Sequence, residues 1–292
     1  MARTLRSTAG ALGAAATAGP RPRRRLLGAA ALGALALLWA VPLLAAALTA
    51  VRSMDDLTLN GFWALPRALV WDNFGTAWAA GAVSRYLLNS LIITVPAVTG
   101  MLLLSSLSAY ALARFRFRGS TAVYCLYVAG TLLPYQVLML PIFRMTSALG
   151  LYDSYAALII THTAFQLGFC TFVLRNFMRS VPHEIMDAAR VDGAGELRIY
   201  GQIIVPLTLP ALAAVATLEF TWVFNDYLWA LLLLRSDALR PVTAGLATLR
   251  GEYNTDWPVI IAGALLAVVP PLLVFVGLQR FFVRGLLFGS GR

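Results

Sequence analysis

The chain contains no lysine, and all 23 of its basic residues are arginine. That absence excludes a P-loop lysine, a Schiff-base lysine and a lysine general base together. If ATP drives this protein, another chain binds it. Charge of either sign is scarce, at 12% of residues, where soluble domains carry about a quarter. Cysteine is limited to Cys125 and Cys170, both inside apolar runs and outside any CxxC or Cys/His spacing. They read as small buried hydrophobes. No pattern calls for a catalytic centre, a metal or a cofactor in this chain. The net charge of +10 comes from short clusters beside apolar runs. With no basic helix face and no aromatic platform between them, nucleic acid is not an expected partner.

What is present is hydrophobic: 60% of the residues, with a mean hydropathy of +0.76. Six apolar runs lie at about 26 to 50, 86 to 111, 120 to 142, 154 to 174, 208 to 234 and 258 to 282. Each has roughly the 20 residues that a helix needs to cross the hydrocarbon core. Lipid satisfies no free backbone group, and the alternation of a barrel strand is missing. The expected fold class is therefore all-α, a polytopic membrane protein with six transmembrane helices. Membrane lipid is its solvent, and prolines such as Pro96, Pro134, Pro141 and Pro210 predict kinks. No internal repeat is apparent, which disfavours the repeat-built secondary transporters.

Orientation follows from arginine. With the N-terminus inside, cytoplasmic segments hold 16 arginines against seven outside, which favours an N-in/C-in topology. The first run is longer than a signal-peptide core, so it is read as an anchor. Residues 1–25 are expected to form a disordered basic tail, 26–285 the transmembrane domain and 286–292 a short C-terminal tail.

The segment 180–206, between the fourth and fifth runs, has its own local logic. Ser180 is placed to cap free amides, Pro182 suits a first turn, and Glu184 and Asp187 complement the positive end of a helix dipole. Ala188 and Ala189 offer a surface for close packing, and Gly193 and Gly195 allow a sharp turn after Asp192. A second short helix is expected over 196–202. On pattern alone, an ordinary amphipathic loop remains open.

The stretch resembles the cytoplasmic loop of permease subunits in binding-protein-dependent ABC importers. That pattern is Glu-Ala-Ala, three residues, Gly, nine residues, Ile, any residue, Leu-Pro; here it stands as Asp187-Ala188-Ala189, Gly193 and Ile203-Ile204-Val205-Pro206. Asp replaces Glu and Val replaces Leu, and the shorter Asp187 alters the reach of that carboxylate. Further stretches are similar to maltose-type sugar permeases: Tyr86-Leu87-Leu88-Asn89-Ser90, Leu133-Pro134-Tyr135-Gln136, Leu149-Gly150-Leu151-Tyr152-Asp153 and Gln279-Arg280-Phe281-Phe282-Val283-Arg284-Gly285. The resemblance covers about residues 70 to 285. It implies a type I ABC importer permease, multi-pass in a bacterial inner membrane. Glu184, Asp187, Ala188, Ala189, Asp192, Gly193, Ile203 and Pro206 would couple it to an ATPase. It also implies two ATPase subunits, a second related permease and an extracytoplasmic sugar-binding protein.

Two ionisable residues interrupt the fifth run, Glu219 and Asp226. Each would cost about 2 to 3 kcal/mol or more at a helix centre in lipid, so both are expected to face protein or water. Their spacing of seven suggests one helical face. With Trp222 and Asn225 they have the composition of a sugar path, in which an aromatic plane covers a ring and polar groups meet hydroxyls. Pairing of Asp226 and Asn225 with neighbouring helices is the other reading. An ion-coupled secondary transporter using Glu219 and Asp226 also stays open. His162 reads as a hydrogen-bonded packing residue, and Trp39, Trp229 and Trp257 as interfacial or packing aromatics. Trp63, Trp71 and Trp78 suggest an outer surface helix. The segment Arg250-Gly251-Glu252-Tyr253 is an outer docking candidate by resemblance.

Overall fold

A computed structural model of the chain describes residues 22–249 and 255–290, with side chains for 26–249 and 255–281. Among these residues every regular element is helical. Most of the tail expected to be disordered, and the Arg250–Tyr253 segment, lie outside them. The first helix, α1 (Pro22–Ala50), begins inside the expected tail. It is followed by two short outer helices, α2 (Met54–Asn60) and α3 (Asp72–Trp78), and the long α4 (Val83–Arg114). Next come α5 (Ser120–Thr131), α6 (Tyr135–Ala148), α7 (Tyr155–Phe165), α8 (Leu167–Arg179) and α9 (His183–Val191). A continuous α10 (Glu196–Phe224), the short α11 (Leu228–Leu233) and α12 (Val242–Thr248), and α13 (Trp257–Ser290) complete the chain.

Four helices are long and apolar enough to cross a bilayer: Leu26–Ala50, Val83–Arg114, Glu196–Phe224 and Trp257–Phe281. The third and fourth apolar runs are not straight spans. The α5–α6 pair bends by 100° and the α7–α8 pair by 42°, so the count of spans is four, or up to six if each bent pair is one. The larger bend has a local cause. Proline pushes the residue before it out of the helical region and donates no amide, and here Pro134 sits extended at the break with ψ 122°.

The fifth run differs at both ends from its expected limits. It starts at Glu196, because the short helix expected over 196–202 runs without interruption into the span through a π-helical turn, Tyr200–Ile204. That turn ends two residues before Pro206, whose ring would crowd the carbonyl four residues back in a regular helix. The run ends as one helix at Phe224, and its remainder forms the separate α11.

Helix α4 is the centre of the bundle, with α7, α8, α10 and α12 packed on it. Its buried stripe includes Ser90, Thr94, Ala97, Ser105 and Ala109, small residues three to eight apart, which let neighbouring backbones approach where lipid offers no hydrophobic drive. Gly168 does the same for α8: a Cβ there would lie 2.5 Å from the Tyr127 carbonyl on α5. Helix α13 bridges α10, α1 and α3. Cys170 is buried as expected, whereas Cys125 is exposed on α5, so it is not a core residue.

Candidate functional site

At the foot of the bundle, α9 is not capped by Ser180, whose hydroxyl instead donates to the Phe177 carbonyl at the end of α8 (2.7 Å). Pro182 occupies the cap position, and Glu184 lies in the first turn. Met186, 1% exposed, pins α9 to the core, while Glu184, Asp187, Ala188 and Asp192 face outward and Ala189 is half-buried. Gly193 has φ +79°. Its amide donates to the Arg190 carbonyl (3.0 Å) and that of Ala194 to Ala189 (2.9 Å), a Schellman closure that favours glycine at this position.

The turn is braced by charge. Arg190 donates to Asp187 (2.7 Å) and to Glu196 (2.9 Å), and Glu196 also accepts from the Tyr110 hydroxyl on α4 (2.7 Å). These partners, Glu196 foremost, hold the Arg190 guanidinium above its ordinary pKa. Arg114 at the end of α4 ties down the Met178 carbonyl and that of Val181 (2.9 Å). Beyond this frame Val191 (88% exposed) and Leu197 (81%) stand clear of the chain and Ile185 is partly uncovered, apolar groups ringed by charge, the composition of an interface core with a polar rim. Ile203 is half-buried and Pro206 exposed, both on the first turns of α10.

Higher up, the breaks in the third and fourth spans and α10 surround two adjoining cavities. One, of about 520 Å³, is lined by Leu132, Pro134, Gln166, Phe169, Glu219 and Trp222 among others. The other, of about 680 Å³, is lined by Thr217, Thr221, Trp222, Asn225, Asp226 and Phe275 among others. Tyr135, Phe165, Leu218 and Trp222 border both. Glu219 is 2% exposed and its Oε2 accepts no hydrogen bond, with the Cys170 thiol beside the carboxyl. Trp222 is 58% exposed.

Glu219 and Asp226 do not share a helical face, because α10 ends between them. Asp226 accepts from the amides of Trp229 (3.4 Å) and Ala230 (3.1 Å), opening α11, and its own carbonyl accepts from the Thr243 hydroxyl. His162, buried on α7, has Nε2 3.6 Å from the Asp226 carboxylate, and that nitrogen makes no hydrogen bond. The hydrogen bond expected of His162 is missing at Nε2. Asp226 is a helix-opening group at the cavity edge. Trp229 is buried against Tyr135 and Phe165, with ring centroids 6.2 Å from each.

At the opposite end, stretches noted only as sequence likenesses meet in one polar clasp. Asn89 donates to the carbonyls of Ala238 (2.8 Å) and Arg240 (2.9 Å) and accepts from Tyr155 (2.7 Å). Ser90 accepts from the Val242 amide (2.8 Å), and Tyr86 and Arg85 both reach Asp237. Asp153 accepts from the amides of Arg235 (2.8 Å) and Ser236 (2.9 Å) and from the Ser236 hydroxyl, which holds its carboxyl below the ordinary range. Nothing in the order of residues announced that these groups converge on 233–242. Nearby, Trp78 lies on α3, Trp71 just before it and Trp63 in a separate turn, all exposed, so the expected surface helix is short and holds one tryptophan.

Broken spans around a cavity, a long central helix and an exposed, glycine-closed helix at the foot define the membrane subunit of a solute transporter. The fold is that of a bacterial ABC transporter involved in the import of the acidic polysaccharide alginate: the structures align with a TM-score of 0.79 over 91% of this chain and 100% of that one, at 24% identity. Residues 101–287 match the family described as the binding-protein-dependent transport system inner membrane component. The chain belongs to that family. It is 36% identical over 263 residues, 88% of each chain, to an osmoprotective compounds uptake permease of Synechocystis. It is 35% identical over 252 residues, 85% of this chain and 90% of the other, to an arabinooligosaccharides transport permease of Halalkalibacterium halodurans.

Proposed function

We propose that this chain is one permease of an ATP-driven importer for sugars or related polyols, forming half of the path through the inner membrane. Both termini lie in the cytoplasm in this reading. The 180–206 segment seats on an ATPase subunit, with Asp187, Ala188 and Gly193 at the contact. ATP is hydrolysed on that separate chain, and a second, related permease completes the path. A sugar-binding protein delivers solute from outside, as in the alginate transporter solved with a pentasaccharide-bound periplasmic protein.

The observation that supports this most directly is α9 itself. It is pinned at Met186 and closed at Gly193, and it presents Val191 and part of Ile185 to solvent among the described residues. A free apolar surface on an otherwise charged foot is what a docking helix needs. Sugar as the solute is supported by relatives named for arabinooligosaccharides and diacetylchitobiose. Glu219, Trp222 and Asn225 line the path in this reading, and Asp226 shapes its rim.

Copurification with the companion chains, then ATPase assays in proteoliposomes with sugars, polyols and the binding protein, tests the proposal. Hydrolysis stimulated by one loaded binding protein is the expected result. Uptake that survives inactivation of the ATPase but collapses with the proton gradient would overturn it in favour of ion coupling.

A further inference from the structure

We propose that the turn between α4 and α5, with the last turn of α8 clamped against it, holds the phosphate headgroup of an anionic phospholipid. In the N-in orientation of the reading above, on which this proposal depends, that turn lies at headgroup depth in the cytoplasmic leaflet.

The surface is made of arginine without acid. The segments 112–124 and 175–181 meet here and carry Arg114, Arg116, Arg118, Arg175 and Arg179, while no Asp or Glu occurs between Asp72 and Asp153 or between Asp153 and Glu184. Two of the five arginines build the frame. Arg114 donates to the carbonyls of Met178 and Val181 (2.9 Å), and so fastens the end of α8 to the end of α4. Arg175 donates to the Leu112 carbonyl (3.2 Å), and its guanidinium lies 3.9 Å from the centre of the Tyr124 ring on α5. Carbonyls and a ring orient these two side chains, but no carboxylate neutralises them. The other three, Arg116, Arg118 and Arg179, are exposed and make no hydrogen bond or ion pair among the described residues. Glu196, beyond the Tyr110 ring, is already taken by Arg190 (2.9 Å) and by the Tyr110 hydroxyl (2.7 Å). A cluster of this kind at the end of a span attracts the anionic lipids of the inner leaflet.

Aromatic and apolar surface decides that the anion is a lipid. The turn reads Phe115-Arg116-Phe117-Arg118, and the chain leaves α4 extended at Phe115 (φ −98°, ψ 136°). Phe115 is fixed edge-on to Tyr110, with ring centroids 5.7 Å apart, yet Phe115 and Phe117 remain 40% and 45% exposed. Rings at the interface beside guanidiniums that reach phosphate form a headgroup anchor, and the planar fork of arginine takes a phosphate through two parallel bonds. The uncovered surface continues onto α5, which has no buried residue among those described and leaves Leu126 73% exposed. A charged turn running into an open apolar helix matches a headgroup followed by its acyl chain. The neighbouring α9 has the opposite character, with Glu184, Asp187 and Asp192 facing outward, so the two surfaces call for partners of opposite sign.

The test carries a photo-crosslinker, Phe117→benzoylphenylalanine, in the complete complex with its ATPase subunits. The complex is reconstituted in vesicles of phosphatidylglycerol and phosphatidylcholine in equal amounts with identical acyl chains, and adducts at position 117 are read by mass spectrometry. Expected is a preference for phosphatidylglycerol that falls about 25-fold in Arg116→Gln/Arg118→Gln, since each charge near an anionic surface is worth about fivefold. Arg116→Lys/Arg118→Lys should keep most of it, and raised salt should weaken it. Equal preference in wild type and the double glutamine variant overturns the site. So does an equal fall in Arg144→Gln, an exposed arginine on α6 outside the cluster, which would mark a general effect of charge. Adducts to an ATPase peptide in place of lipid give the surface to that subunit and overturn the proposal as well. If the double variant fails to assemble, Arg116→Gln alone decides, with a fall of about fivefold. Labelling of Arg118→Cys in a Cys125→Ser background by an impermeant maleimide outside intact cells overturns the orientation instead.

Discussion

Replacing Gly193 by valine should uncouple hydrolysis from transport, and the size of the effect follows from local geometry. Gly193 sits at φ +79°, and a Cβ built there meets nothing within 4 Å. The penalty is therefore conformational and not steric. An L-residue in the left-handed region costs about 1 to 2 kcal/mol, and a β-branched one falls at the upper end. At stake are the two closing hydrogen bonds from Gly193 to Arg190 (3.0 Å) and from Ala194 to Ala189 (2.9 Å). A cost of about 2 kcal/mol lowers the population of the closed turn about thirtyfold relative to its open forms. The bundle, held by α4 and its neighbours, should stay assembled. Uptake per ATP in proteoliposomes should fall in the order glycine, asparagine, alanine, valine, because asparagine tolerates the left-handed region. Equal uptake per ATP for asparagine and valine would refute the conformational account. Equal values for valine and wild type would refute the coupling role of the turn.

Two further perturbations test the frame around the site. Gly168→Ala should lower the melting temperature of the purified protein, because the added Cβ would meet the Tyr127 carbonyl at 2.5 Å and the Thr131 methyl at 2.9 Å. Overpacking of this kind costs about 1 to 3 kcal/mol, and an unchanged melting curve would show that α5 and α8 separate freely. The outer clasp should respond to acid with a definite sign. Asp153 is held below its ordinary value by Ser236, so its contribution is complete above the unfolded carboxylate pKa of about 4 and is lost only as pH falls through the lower folded value. The contribution of Asp153 should therefore be constant between about pH 5 and 8, and Asp153→Asn should be less stable there but show a shallower decline below about pH 4.

The order of residues carried the membrane class and the helical foot, because both rest on local rules. Apolar runs of spanning length dictate helices in lipid, and Gly193 four residues after Ala189 closes one. It did not carry the geometry that depends on distant partners. Hydropathy sees the stretch 120–142 as one run, since Leu132, Leu133 and Pro134 are as apolar as their neighbours, and only the backbone shows a 100° turn there. The seven-residue spacing of Glu219 and Asp226 suggested a shared face because nothing in it marks the end of α10 at Phe224. Ser180 looked like a cap, yet its hydroxyl is satisfied within the helix before it. Asn89 and Asp153 stood in stretches recognisable by likeness, but their common target at 233–242 lies more than 80 residues away from each.

Continuity between the foot and the fifth span has a mechanical consequence. Glu196, gripped by Arg190 and Tyr110, and Glu219, facing the cavity, belong to one rod, and 23 residues of helix separate them by about 35 Å. Pivoting that rod by about 5° at one end carries the other through about 3 Å, comparable to the width of a water molecule. Such a lever needs no relay of small contacts to move the cavity wall. Its single irregular turn, Tyr200–Ile204, is then the place where stiffness is set, and lengthening or removing that turn would rotate Glu219 and Trp222 around the axis as well as shift them.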